Sequence, residues 1–130
     1  MSYEPKDATP ATVTANRKAV ARYDMADRQD FEFLYAPDTE APEEMHIWIP
    51  QLKTLTCAEN ANHSLHNIQT LRDARYLDET LERWGDEAEV HYGPHTWPVW
   101  GKAEIVSFIE SQRDTYKYIH DQALRLANKG

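Results

Sequence analysis

Hydrophobic and polar positions divide the chain into blocks of different period. Thr9-Pro10 offers a hydroxyl cap and a first-turn proline, so a helix is expected from about Pro10 to Ala26. Val13, Val20 and Tyr23 would be its buried positions, with Arg17, Lys18 and Arg22 facing water or a neighbouring acid. Residues 1–8 lack periodicity and are expected to be a flexible tail. From Phe31 the period falls to two: Phe31, Phe33 and Tyr35 alternate with Glu32 and Leu34, which predicts a strand stopped by Pro37. Met45 to Ile49 alternates again and ends at Pro50, and Leu55 to Ala58 is a third strand that delivers Glu59.

Helical spacing then returns. Leu77, Leu81 and Trp84 recur at i, i+4 and i+7, and Gly85 stands where a helix stop belongs. A further strand, Ala88 to Tyr92, runs into Gly93-Pro94-His95. From Lys102 to Lys129 Ile105, Ile109, Tyr116, Ile119 and Leu126 mark one helical face, continued by Gln112 and Ala123, with a possible break at Tyr116 to Tyr118. The fold class expected is α/β (α+β), with about four strands in a mixed sheet and about three helices.

Short loops make the first three strands an antiparallel meander. The first and third then run parallel and finish at one sheet edge, which puts Glu40 and Glu59 there together. A strand-helix-strand connection places the fourth strand parallel to the third, so His95 emerges at the same edge.

Composition narrows the class. A chain of 130 residues with 41% hydrophobic content suits a single domain over 1–130. A formal charge of -8 argues against nucleic acid and against anionic membranes, since acids outnumber bases. Cys57 is the only cysteine, which excludes an intramolecular disulfide and suggests a buried strand thiol. The first residues carry no basic-then-apolar leader pattern and no apolar run is long enough to span a bilayer, so a cytoplasmic location is expected.

Candidate chemistry gathers after the third strand. Thr56 to Arg72 follows Glu59 with Asn60, Asn62, His63, His66 and Asn67. Two carboxylates and an imidazole, Glu40, Glu59 and His95, suit a divalent ion such as zinc or manganese, which could activate water for hydrolysis. A metal-free acid and base pair is the other reading of the carboxylates. Neither Ser64 nor Cys57 sits in a nucleophile motif.

The wording of four stretches is more specific. TEAPEEM at 39–45, AENANHSLHNIQTLR at 58–72, HTWPVWG at 95–101 and QRDTYKYIHDQALRLANKG at 112–130 together resemble the alkylsulfatases of the metallo-β-lactamase superfamily, the dodecyl-sulfate-hydrolysing type. Asn16 through Met25 more loosely resembles a helix preceding this region in the family. The resemblance implies part of an αββα sandwich with a two-zinc site that hydrolyses sulfate esters of long-chain alcohols. It implies that Glu40 is a ligand of one zinc, Glu59 the carboxylate shared by both, and His95 a ligand of the other. It further implies sulfate binding by Arg72 and Tyr23, and a role for Asn60, His63 and His66 in supporting the site from behind.

The sequence also departs from the family. An HxHxDH cluster is absent, the chain between Arg72 and Tyr76 is several residues short, another segment is missing upstream of Phe31, and Thr96 stands where a histidine is common. The resemblance is thus to the C-terminal half of the catalytic domain, with internal deletions. Family members are often periplasmic or secreted. Three readings stay open: a piece of a hydrolase holding one zinc ion or none and inactive alone, a non-catalytic fold or interaction module with vestigial ligands, and a homodimer that rebuilds a two-layer sandwich.

Overall fold

The computed structural model describes residues 22–24, 30–63, 74–95 and 97–129. One mixed sheet carries the strands in sequence order: β1 (Arg22–Asp24), β2 (Asp30–Tyr35), β3 (Met45–Ile49), β4 (Thr54–Thr56), β5 (Val90–His91) and β6 (Val99–Trp100). Neighbours are antiparallel except β4 and β5, which run parallel. Two α-helices, α1 (Ala74–Trp84) and α2 (Lys102–Ala127), and two 3₁₀ turns, Pro50–Leu52 and Ala58–Asn60, complete the described elements. The meander and the parallel crossover expected from the sequence are both present.

Strand alternation decides which face is covered. Leu34, Trp48 and Leu55 are buried on one face with Leu77 and Trp84 of α1 and Ile105, Ile109 and Tyr116 of α2. Trp48 and Trp84 stack at 6.3 Å between ring centroids, which joins β3 to α1. The cross-strand partners Phe33 and Ile47 lie on the opposite face, as do Tyr35, Ile49 and Val90, and all five are only half-buried. Burying a leucine such as Leu55 contributes roughly 1.5–3 kcal/mol, so the helix-covered face carries the stability of this layer.

Gly85 ends α1 for a packing reason. A Cβ there would lie 2.7 Å from the Leu81 carbonyl oxygen, which already accepts the Gly85 amide at 2.9 Å. Gly101, with φ of 88°, starts α2 from a conformation that side chains rarely adopt.

Several expectations are corrected. Arg22–Asp24, assigned above to a helix, form a strand paired with β2: ladder hydrogen bonds override local helix propensity. The rest of the expected helix and the tail at 1–8 lie outside the described residues. The third strand ends at Thr56, because Ala58 turns with φ of 46° into a 3₁₀ turn over Ala58–Asn60. β6 has two residues, too few for a period to show. α2 runs unbroken through Tyr116 to Tyr118, and Leu126 is 61% exposed because the helix outlasts the sheet it packs on.

Candidate metal centre at the sheet edge

Two turns and one loop build the site. After β4 the chain makes the 3₁₀ turn that carries Glu59, held by Asn60 N–H donating to Cys57 O at 3.0 Å and Ala58 N–H donating to Thr56 Oγ1 at 3.2 Å. The Asn62 side chain donates to Glu59 O at 3.2 Å and fixes the exit. A positive φ at Ala58 is costly for a residue with a Cβ, and it persists because these bonds over-determine the turn. The Glu40 turn between β2 and β3 is closed by Ala36 N–H to Glu44 O at 2.8 Å and by the Tyr35 hydroxyl to Pro42 O at 2.9 Å. The third contributor, the loop after β5, brings His95 back over β4.

The geometry unites two of the three residues directly. His95 Nε2 donates to Glu59 Oε1 at 2.9 Å, across 36 residues of sequence. Glu40 shares an open cleft of about 530 Å³ with Glu59, floored by Ile47 and Thr56 and walled by Tyr92 and Pro94. A slightly larger depression, about 620 Å³, lies along α1 among Arg75, Asp78, Glu79, Glu82 and Arg83, all on that one helix, and gathers no convergent chemistry. Among the described residues no three His, Cys, Asp or Glu side chains stand close enough together to hold a metal. Arg72 and His66 lie outside the described residues, as does the side chain of Tyr23.

A buried polar network behind the cleft was not anticipated from the sequence. Asn60, 1% exposed, donates from Nδ2 to Thr39 Oγ1 at 3.0 Å and to His46 Nε2 at 3.0 Å. His46 Nδ1 meets Thr80 Oγ1 at 2.6 Å, and Thr80 in turn donates to Tyr76 O at 2.7 Å. Because the Thr80 proton is committed to that carbonyl, the imidazole proton must sit on Nδ1 and Nε2 must be the acceptor. Burial, helped by nearby His91, pushes the His46 pKa down to about 3, so this neutral form persists at ordinary pH. A histidine at an inward position of a strand was the available signal, but alternation alone could not name its partners.

Two further histidines, His63 and His91, sit near this network. His63 stacks on Trp97 with 4.6 Å between centroids and lies 4.6 Å from Phe108. His91 is buried on β5, its pKa pushed down to about 4 by burial and by His63. The Nε2 atoms of both rings are buried without a hydrogen-bond partner among the described residues. Cys57 is fully buried, and burial raises its thiol pKa.

Comparison with known proteins identifies relatives of this chain. A linear primary-alkylsulfatase of a Pseudomonas species is 48% identical over 109 residues, which is 77% of this chain and 16% of that enzyme. This chain is homologous to part of an alkylsulfatase. The structure of a stereoselective inverting sec-alkylsulfatase from Pseudomonas superposes on this chain with a TM-score of 0.76 and 36% identity, covering 85% of this chain and 19% of that one. A metallo-β-lactamase family protein from Thermus thermophilus matches at a TM-score of 0.57 and 16% identity, over 82% of this chain and 36% of that one, which shows a shared fold. No family profile matches the chain. It spans 16% to 20% of the length of the curated alkylsulfatases it matches.

Proposed function

We propose that this chain contributes Glu40, Glu59 and His95 to a zinc centre of the alkylsulfatase type, and that alone it binds at most one ion and turns over little or no sulfate ester. The Glu59–His95 contact carries the reading. Two ligands about 2.0–2.2 Å from a tetrahedral zinc stand about 3.3 Å apart, so groups already at 2.9 Å would take an ion with a small shift once the ring proton of His95 sits on Nδ1 and frees Nε2. Bound zinc would supply Lewis acidity towards the sulfate ester oxygen and a more acidic water. The chain's own groups would fix the ion at the end of the cleft, while Ile47, Tyr92 and Pro94 give an apolar wall for the alkyl part of a substrate. Arg72 and Tyr23 are proposed sulfate contacts, by resemblance alone. His66 and His63 are proposed to support the loop.

Zinc content after purification without chelator tests this, with Glu59→Ala and His95→Ala as comparisons. Wild type should carry up to one equivalent and each variant at least tenfold less. Equal zinc in all three would overturn the proposed site. Sulfate release from dodecyl sulfate with added zinc should stay close to buffer, and sustained turnover would refute the inactivity.

A second reading, a non-catalytic module with vestigial ligands, is favoured by one observation: no three-ligand cluster occurs among the described residues. Loss of all zinc from wild type would select it. Association into a homodimer is compatible with either, and is supported by the exposed Tyr118, Leu124 and Leu126 on α2.

A further inference from the structure

The conformation of the two acidic turns is tied to helix α1 through one histidine. Asn60 and Thr39 are the sequence neighbours of Glu59 and Glu40, and the 3.0 Å bond between their side chains fastens one turn to the other. Thr39 donates its own proton to Ala36 O at 2.8 Å, so towards Asn60 its oxygen can only accept. The second proton of Asn60 Nδ2 needs an acceptor inside the protein, because an unsatisfied buried donor costs roughly 1–3 kcal/mol. His46 Nε2 is that acceptor, and it can accept only while Thr80 keeps the ring proton on Nδ1. Each proton of the relay from Tyr76 O to Ala36 O therefore has one assigned direction.

We infer that His46 is a positioning residue for the acidic edge: by orienting the Asn60 amide it clasps the Glu40 turn to the Glu59 turn and anchors both to α1. Nothing in the relay touches a ligand or reacting atom directly. Its effect is to hold Glu40 and Glu59 at a fixed separation across the cleft. The affinity arm of the test below rests on the zinc reading proposed above; the spectroscopic arm does not.

Two substitutions separate positioning from bulk packing. In His46→Gln the side-chain oxygen can occupy the place of Nε2 and still accept from Asn60. In His46→Asn the shorter amide can reach only towards Thr80, and the Asn60 proton is orphaned. Zinc affinity by chelator competition should stay within about threefold of wild type in the glutamine variant and fall about 10–100-fold in the asparagine variant, the usual scale for losing a group behind a ligand. Backbone amide resonances of Thr39 to Ala41 and Ala58 to Asn62 should follow the same split. If wild type binds no zinc, the zinc centre fails by itself, and the resonances alone decide the clasp. Equal effects in the two variants, or none in either, would overturn it. Should His46→Asn not fold, Thr39→Val, nearly the same size, takes its place: it should move the Glu40 and Glu59 amides while leaving Tyr76 and Thr80 unchanged, and unmoved acidic turns would overturn the clasp.

Discussion

Acidification should destabilise this protein before its carboxylates protonate. His46 and His91 are buried on β3 and β5, with folded pKa values pushed down to about 3 and about 4. Each lies below the unfolded value of about 6.5, so the unfolded chain takes up protons first as the pH falls, and stability must fall with it. Between pH 7 and pH 5 the linkage amounts to about 2 kcal/mol for each ring, or about 4 kcal/mol together. A domain of this kind is stable by only about 5–15 kcal/mol, so most of a modest margin would go. Above pH 7 neither state binds the proton and the effect is absent. Urea titrations followed by tryptophan fluorescence at pH 7, 6 and 5, at constant ionic strength and with chelator, measure the fall. His46→Gln removes one titrating group and should roughly halve it. A wild-type stability that stays level from pH 7 to pH 5 would refute the reasoning, because it would mean that the two imidazoles protonate in place.

Two further outcomes follow from burial and exposure. Cys57 should resist an aromatic disulfide reagent in the native protein and react fully in denaturant, because burial disfavours its thiolate; rapid native labelling would contradict its place in the core. The homodimer proposed above predicts twice the chain mass by light scattering at tens of micromolar, and a monomer mass at that concentration would exclude it.

Much of this structure was legible in the sequence, for identifiable reasons. Phe31, Phe33 and Tyr35 show a clean period of two, and their short connections left little choice but a meander; the nearness of Glu59 and His95 at one sheet edge followed from topology. Arg22–Asp24 were misread because an apolar spacing compatible with a helix says nothing about a strand partner six to ten residues ahead. Tertiary pairing won there. At the other end, Leu126 continued the heptad-like spacing of α2, yet spacing does not reveal where the sheet beneath stops. The relay through His46 was hidden for a different reason: Thr39, His46, Asn60 and Thr80 come from four elements, and their separations in sequence form no motif. Glu59 and His95 were found because strand direction, which sequence does carry, is what brings them together.

The parallel pairing of β4 with β5 has a consequence for how the chain tolerates changes of length. Thr54 and Leu55 face Val90 and His91, so the placement of His95 over Glu59 is fixed by this register and by the few residues beyond each strand. Helix α1, which lies between these strands in sequence, is a detour as far as this register is concerned. Residues can be lost or gained within it without altering the register, provided α1 still packs beneath the sheet. The shortening expected from the family resemblance between Arg72 and Tyr76 would fall inside that detour. An insertion of a single residue between His91 and His95 would be far more disruptive than the loss of several before α1.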